Sequence, residues 1–210
     1  MQNILALHRR AVTAVRPVLA RVTPADLDLP TPCAGWDLRA LLAHMTGQDH
    51  GFAAVVRAAR EGGDPDVSDF APRPPGPIPA VTTAAGLDAV VAAFAETAGH
   101  DGPVLLPEFG ARLPLTTVAG MHLVDTLVHG WDVAAALDGQ AEYGAELDAE
   151  VVAAALAVAE QVPDGPAREG EGAIFGPALA AGPDTDAWTR TLTLLGRDPA
   201  WTAGALVQGG

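Results

Sequence analysis

The stretch MHLVDTLVHGWDVAAAL, residues 121–137, decides the fold, because it sets a row of polar side chains into an apolar helix. At about 100° per residue, four of its polar side chains lie within roughly 80° of one another on an α-helix. These four are His122, Asp125, His129 and Asp132. Asp125 and His129 are spaced i, i+4, the separation at which two side chains of one helix can bind the same ion.

Two interpretations of this polar row stay open from the residues alone. A polar row on an apolar helix is usually its solvent-facing side. Here, however, the row contains two of only six histidines and no Arg. Imidazole is the commonest metal-binding side chain and titrates near neutral pH. The second interpretation is therefore a metal site, which needs at least one further ligand from another part of the chain.

Composition limits the classes of function. The 210 residues are 49% hydrophobic, enough for one sizeable core, and they contain no Lys and a single Cys. A net charge of −14 argues against binding to nucleic acid or to an anionic membrane. The first residues do not resemble a signal peptide, no apolar run is long enough to span a membrane, and one cysteine cannot form an internal disulfide. We therefore expect a cytoplasmic protein.

Before the central stretch, the apolar spacing predicts two helices. The first covers residues 3–22, with Pro17 as a kink or an early end, and its His8 is expected at the surface or in helix packing. The second begins at or just before Asp37, and His44 lies at the edge of its apolar stripe. A lone histidine in that position is more often a core or boundary residue than a ligand.

The remaining segments complete a helical protein. A long loop is predicted for residues 61–85 from their Pro, Gly and Asp content. The other predicted elements are a helix at Leu87–Ala98, an irregular or extended link at 103–114, and helices at 116–137, Ala145–Val162 and 187–196. We expect an all-α four-helix bundle over residues 1–165 with a long crossover loop, and a partly irregular C-terminal extension over 166–210 that packs on it.

Three segments carry a resemblance to a known family. They are TPCAGWDLRALLAH (31–44), DTLVHGWDVA (125–134) and the pair FGPALA…LTLLGRDPAW (175–201). Together they resemble the DinB-like bundle superfamily, and within it the branch that contains mycothiol-dependent maleylpyruvate isomerase. The resemblance implies a metal site formed by His44, Asp125 and His129. The isomerases of that family have Glu where this chain has Asp125, whose side chain is one methylene shorter.

The implied ligand set also suggests a chemistry. Two imidazoles and one carboxylate leave a coordination position open, as in catalytic zinc sites, and the same set accepts iron or nickel. The resemblance implies mycothiol as a thiol cofactor, activated for transfer to, or isomerisation of, an electrophilic small molecule. Two alternatives stay open, a metal-dependent hydrolase and a non-catalytic bundle that binds a small ligand or metal. The protein is expected as a monomer or a homodimer.

Other polar and aromatic residues have competing interpretations. His122 is the candidate catalytic residue as an acid–base group; it is otherwise a fourth ligand or, the interpretation ranked first, a polar residue at the mouth of the bundle. Asp132 is a candidate acceptor that orients His129. Cys33 is expected to be a buried small apolar residue rather than a reactive thiol. Trp36 and Trp131 are expected to pack between helices.

Overall fold

The computed structural model describes residues 2–97, 102–169 and 175–203. Within these residues the chain forms seven α-helices and one two-stranded hairpin. The helices are α1 (Gln2–Ala20), α2 (Leu38–Arg60), α3 (Pro79–Ala95), α4 (Leu115–Ala136), α5 (Gln140–Glu146), α6 (Ala149–Ala159) and α7 (Ala187–Leu194). The strands are β1 (Val104–Leu106) and β2 (Ala111–Leu113), which pair antiparallel. The prediction of an all-α bundle is confirmed.

Helix α4, which contains the central stretch, lies in the core. It packs against α1, α2 and α6, and most of its side chains are buried. Gly130 permits the closest of these approaches, because a Cβ there would lie 2.4 Å from Val15 Cγ2 and 2.5 Å from the Tyr143 hydroxyl. Within the polar row, His122, His129 and Asp132 are buried and Asp125 is partly buried, so the row is not the solvent-facing side of the helix.

Helix α2 begins where the sequence predicts, and α1 continues past its proline. Asp37 caps α2 by accepting a hydrogen bond from the Ala40 amide at 2.8 Å. Helix α1 runs through Pro17 to Ala20, so the proline does not end it early. Because α2 carries His44 and α4 carries Asp125, the packing of α2 on α4 decides whether the proposed ligands meet.

Two predicted boundaries were wrong, whereas the link at 103–114, predicted to be irregular or extended, does contain extended strands. The loop after α2 ends at residue 78 rather than 85, because Pro79 occupies the first turn of α3, where a proline costs no hydrogen bond. The predicted helix Ala145–Val162 is two helices, since Leu147 is extended and Asp148 caps α6. The link 103–114 contains the β1–β2 hairpin, which turns at Gly110 with φ of 58°. The predicted helix end at Ala98 lies outside the described residues.

The segment after α6 packs back on the bundle through α7, which contacts α6. Arg168 is buried there and donates to the backbone carbonyls of Pro163, Leu194 and Val162. The boundary at residue 165/166 stays a prediction, and residues 170–174 and 204–210 of the predicted extension lie outside the described ones. In the part of the chain that the structure describes, no helix is both long and apolar enough to cross a membrane.

Candidate metal centre

His44, Asp125 and His129 converge between α2 and α4. Asp125 Oδ1 lies 3.4 Å from His129 Nε2 and 3.8 Å from His44 Nε2. One ligand atom from each of the three residues lies within 4.8 Å of the other two. We call these three residues the ligand cluster.

The cluster has the donor set and spacing of a metal site. Donors around a tetrahedral ion with bonds of about 2.1 Å stand about 3.4 Å apart, which is close to both separations from Asp125. The shorter aspartate thus comes near both imidazoles. The residues fit a divalent ion such as zinc, while ligation itself stays a prediction.

Trp36 covers the cluster from outside. Its ring centroid lies 4.9 Å from that of His44 and 6.4 Å from that of His129, to which it is nearly parallel at 28°. The side chain is 37% exposed, so it forms an outer wall over the imidazoles rather than filling a helix interface, and the packing prediction for Trp36 was wrong. Trp131, in contrast, is buried in the core as expected.

A second set of polar groups lies behind His129. Its Nδ1 donates to Asp132 Oδ2 at 2.9 Å, so Asp132 is the acceptor that the sequence suggested. Arg197 Nη2 lies 3.0 Å from the same oxygen and 3.0 Å from Cys33 Sγ. Cys33 packs against the apolar core, as expected, but it is only partly buried and its Sγ lies among charged groups.

Charges in the two sets are strongly coupled. Burial alone would raise the pKa of Asp125, but the imidazoles of His129 and His44 lower it well below its usual range. Burial alone would lower the pKa of His129, yet the Asp125 carboxylate raises it well above 6.5. Burial opposes ionisation of Asp132 as well, but Arg197 lowers the pKa of that carboxyl to about 2. An incoming cation at His129 must therefore displace a proton.

His122 does not join the ligand cluster. It is fully buried, so the expectation of a polar residue at the bundle mouth was wrong. Its Nε2 lies 3.0 Å from Asp49 Oδ1 and its Nδ1 lies 2.8 Å from His8 Nε2. His8 is also buried, against the ring of Phe94, and not at the surface. We call His8, Asp49 and His122 the buried triad; the catalytic role of His122 stays a prediction.

One carboxylate at the edge of the site escaped sequence reasoning. Glu108, in the turn between β1 and β2, accepts a hydrogen bond from Gln48 Nε2 at 3.1 Å. Partial burial raises the pKa of Glu108, and the charge of Asp125 raises it further. The hairpin therefore brings a second carboxylate within electrostatic range of the ligand cluster.

Comparisons with known proteins identify related sequences and a related structure. The family model described as the mycothiol maleylpyruvate isomerase N-terminal domain matches residues 8–134, which include the whole ligand cluster. Two uncharacterized proteins of Mycobacterium tuberculosis, from strains CDC 1551 / Oshkosh and ATCC 25618 / H37Rv, are each 32% identical over 171 residues. Each alignment covers 81% of this chain and 85% of the relative.

A solved structure has the same fold. The crystal structure of the mycothiol-dependent maleylpyruvate isomerase superposes with a TM-score of 0.58 at 15% identity, covering 76% of this chain and 69% of that one. At this identity the likeness concerns the fold alone. Together with the helices described above, it confirms the predicted DinB-like helical bundle.

Proposed function

Because this chain belongs to the mycothiol maleylpyruvate isomerase N-terminal domain family, we propose that it is a metal-dependent enzyme using a low-molecular-weight thiol. The thiol is proposed to be mycothiol, and the reaction to be its transfer to, or the isomerisation of, an electrophilic small molecule. The observation that carries the proposal is the convergence of two imidazoles and one carboxylate within 4.8 Å. We further propose that the protein works in the cytoplasm.

The proposed ion is held by His44 from α2 and by Asp125 and His129 from α4. Zinc is the first candidate for two imidazole nitrogens and one carboxylate oxygen, and iron or nickel would also be accepted. Three protein ligands leave room for one exogenous ligand. When bound, such an ion lowers the pKa of a coordinated thiol or water, so that a nucleophile exists near neutral pH.

The chain's own residues have separate tasks in this proposal. Asp125 would offset part of the charge of the ion, and its Oδ1 lies within 3.8 Å of the Nε2 atoms of both imidazoles. Trp36 restricts water on the outer side, since its ring covers both imidazoles. Asp132 holds the Nδ1 proton of His129 and leaves Nε2 free to bind the ion. His122 is proposed to position α4 rather than to transfer protons, because it is fully buried and its hydrogen bonds go to His8 and Asp49 instead of the ligand cluster.

The proposal is tested by comparing His129→Ala with Leu127→Ala. Leu127 is fully buried two residues before His129 on the same helix, so its truncation perturbs the core without removing a ligand. We expect His129→Ala to lose stoichiometric metal and thiol-dependent activity with the fold retained. Leu127→Ala should lose about 2–5 kcal/mol of stability and keep its metal. Elemental analysis and thermal unfolding of both variants give the two readouts.

Cobalt-substituted protein separates the candidate reactions. If a thiol binds the ion, adding mycothiol must add a sulfur-to-cobalt charge-transfer band to the absorption spectrum. If thiols leave the spectrum unchanged and small anions change it, the result would favour the metal-dependent hydrolase instead. Wild-type protein without stoichiometric metal, or His129→Ala that keeps its metal, contradicts the proposed metal centre.

A further inference from the structure

We propose that Arg197 is a positioning residue for His129. The segment that follows α6, which we call the C-terminal segment, thereby completes the metal centre. Arg197 lies outside the matched family region, residues 8–134, and 65 residues along the chain from Asp132. The inference rests on the proposed function for the identity of the site, and it concerns how that site is held together.

The contacts form a chain from the C-terminal segment to the ligand cluster. The guanidinium of Arg197 reaches both oxygens of Asp132, with Nη2 at 3.0 Å from Oδ2 and Nε at 3.4 Å from Oδ1. Its Nη1 donates to the Leu195 carbonyl at 2.9 Å, so the guanidinium is also held by the backbone two residues before Arg197. Asp132 in turn accepts from His129 Nδ1 at 2.9 Å, on the ring edge opposite Nε2.

Burial gives this chain of contacts its strength. The side chain of Asp132 is completely buried and that of Arg197 is 6% exposed, so water does not replace either partner. A guanidinium is planar and always charged, and it binds a carboxylate through two parallel N–H groups. Asp132 is therefore held ionised in one orientation. A hydrogen-bonded carboxylate behind a ligating imidazole fixes the tautomer and the ring plane.

The same arginine explains a second group of potential ligands. Cys33, His129 and Asp132 also offer ligand atoms within 4.8 Å of one another. Arg197 Nη2, however, lies 3.0 Å from both Cys33 Sγ and Asp132 Oδ2. A cation between these atoms would face a guanidinium at contact distance. The positive charge at this position thus comes from the protein itself, and its effect is to orient His129 rather than to bind a second ion.

Arg168 provides a matched control within the same segment. It is 7% exposed, and its guanidinium lies 5.9 Å from the Phe175 ring centroid, against 6.0 Å for Arg197 on the same ring. Its hydrogen bonds go to backbone carbonyls, among them those of Val162 and Leu194. Arg168→Met therefore loosens the C-terminal segment without removing the partner of Asp132.

The experiment measures zinc affinity by chelator competition for wild type, Arg197→Met, Arg197→Lys and Arg168→Met. Loss of the group directly behind a ligand weakens binding by about 10–100-fold; because Arg197 acts through Asp132, we expect Arg197→Met to bind zinc about 10-fold more weakly, at the low end of that range. Arg197→Lys keeps the charge but not the two parallel N–H groups, so its zinc affinity should lie between those of wild type and Arg197→Met. Arg168→Met should lose thermal stability and keep the wild-type affinity.

A second readout uses metal-free protein. The ¹⁵N chemical shifts of the His129 ring should move in Arg197→Met and stay as in wild type in Arg168→Met. Equal zinc affinity and unchanged His129 shifts in Arg197→Met would overturn the inference while leaving the proposed function intact. Equal losses of affinity in both Met variants would overturn it too. If wild type does not bind zinc, the proposed function is refuted instead. The ¹⁵N shifts of the His129 ring in the metal-free variants then decide whether Arg197 positions His129. If Arg197→Met does not fold, Arg197→Lys decides by the same criteria.

Discussion

Replacing His122 by Leu separates its proposed positioning role from catalysis. The imidazole links α4 to α2 through Asp49 and to α1 through His8, with all three side chains buried. Leucine fills similar space but makes neither hydrogen bond. The Asp49 carboxyl and the His8 ring then remain buried without the hydrogen bond that each makes to His122.

The expected cost follows from the two lost contacts. A hydrogen bond to a charged group contributes about 1.5–3 kcal/mol, and a buried neutral group without a partner costs about 1–3 kcal/mol. We therefore expect His122→Leu to lower the free energy of unfolding by about 3–5 kcal/mol. Burial already raises the pKa of Asp49, and without His122 the carboxyl should take up a proton more readily still.

The assay is urea unfolding of metal-free protein for a double-mutant cycle with Asp49→Asn. In wild type, Asp49→Asn replaces a charged acceptor by a neutral one and should cost about 1 kcal/mol. In the His122→Leu background the same change removes an unpaired buried carboxyl and should stabilise by about 1 kcal/mol. This reversal of sign is the result that an isolated core substitution does not give.

Two outcomes would refute the reasoning. If His122→Leu loses less than about 1 kcal/mol, the two buried contacts do not contribute as their geometry indicates. If it keeps wild-type stability and metal content but loses activity, His122 is the catalytic residue that the sequence suggested. Metal content of each variant is measured alongside, because a shift of α2 against α4 would separate His44 from Asp125.

Two further predictions concern helix packing and pH. Gly86→Ala should destabilise by about 1–3 kcal/mol, because its Cβ would lie 2.7 Å from Asp49 Oδ2. In Gly120→Ala the Cβ would lie 3.2 Å from Val158 Cγ2, a contact that a shift of a few tenths of an ångström relieves, so this change should cost less; equal thermal midpoints of the two variants would contradict this. The pKa of Asp132 is lowered to about 2, so its ionisation contributes about 2 kcal/mol to the free energy of unfolding. This contribution is present above pH 4 and is lost as the pH falls through 2. The free energies of unfolding of wild type and Asp132→Asn, measured against pH, should therefore converge near pH 2.

Helix positions were largely predictable because the apolar spacing and the capping residues act locally. Asp37 before an apolar stripe signals the start of α2, and the structure has the cap there. Prolines were harder to interpret, since the same residue ends a helix, begins one or is tolerated inside one. Pro79 begins α3 within a stretch whose composition predicted a loop, and Pro17, expected to kink α1 or end it early, lies within that helix.

The buried triad had a signal in the sequence that went unused. Asp49 follows Met45 by four residues on the apolar stripe of α2, and His8 lies between Ile4 and Val12 on that of α1. A polar residue at such a position needs a buried partner. Arg197 has no local signal of this kind in the sequence, because its contact with Cys33 joins residues that are 164 positions apart.

The polar row of α4 shows why an angular argument identifies a face but not a site. His122 and His129 differ by only about 20° around the helix, yet seven residues separate them by about 10 Å along its axis. The row therefore meets two different neighbourhoods: Asp49 and His8 at one level, and His44 and Trp36 at the other. If both levels are needed, as we propose, the first sets how α2 lies against α4, and that alignment decides whether His44 reaches Asp125. A substitution in the buried triad should then weaken metal binding from a distance of two helical turns, without any change to a ligand.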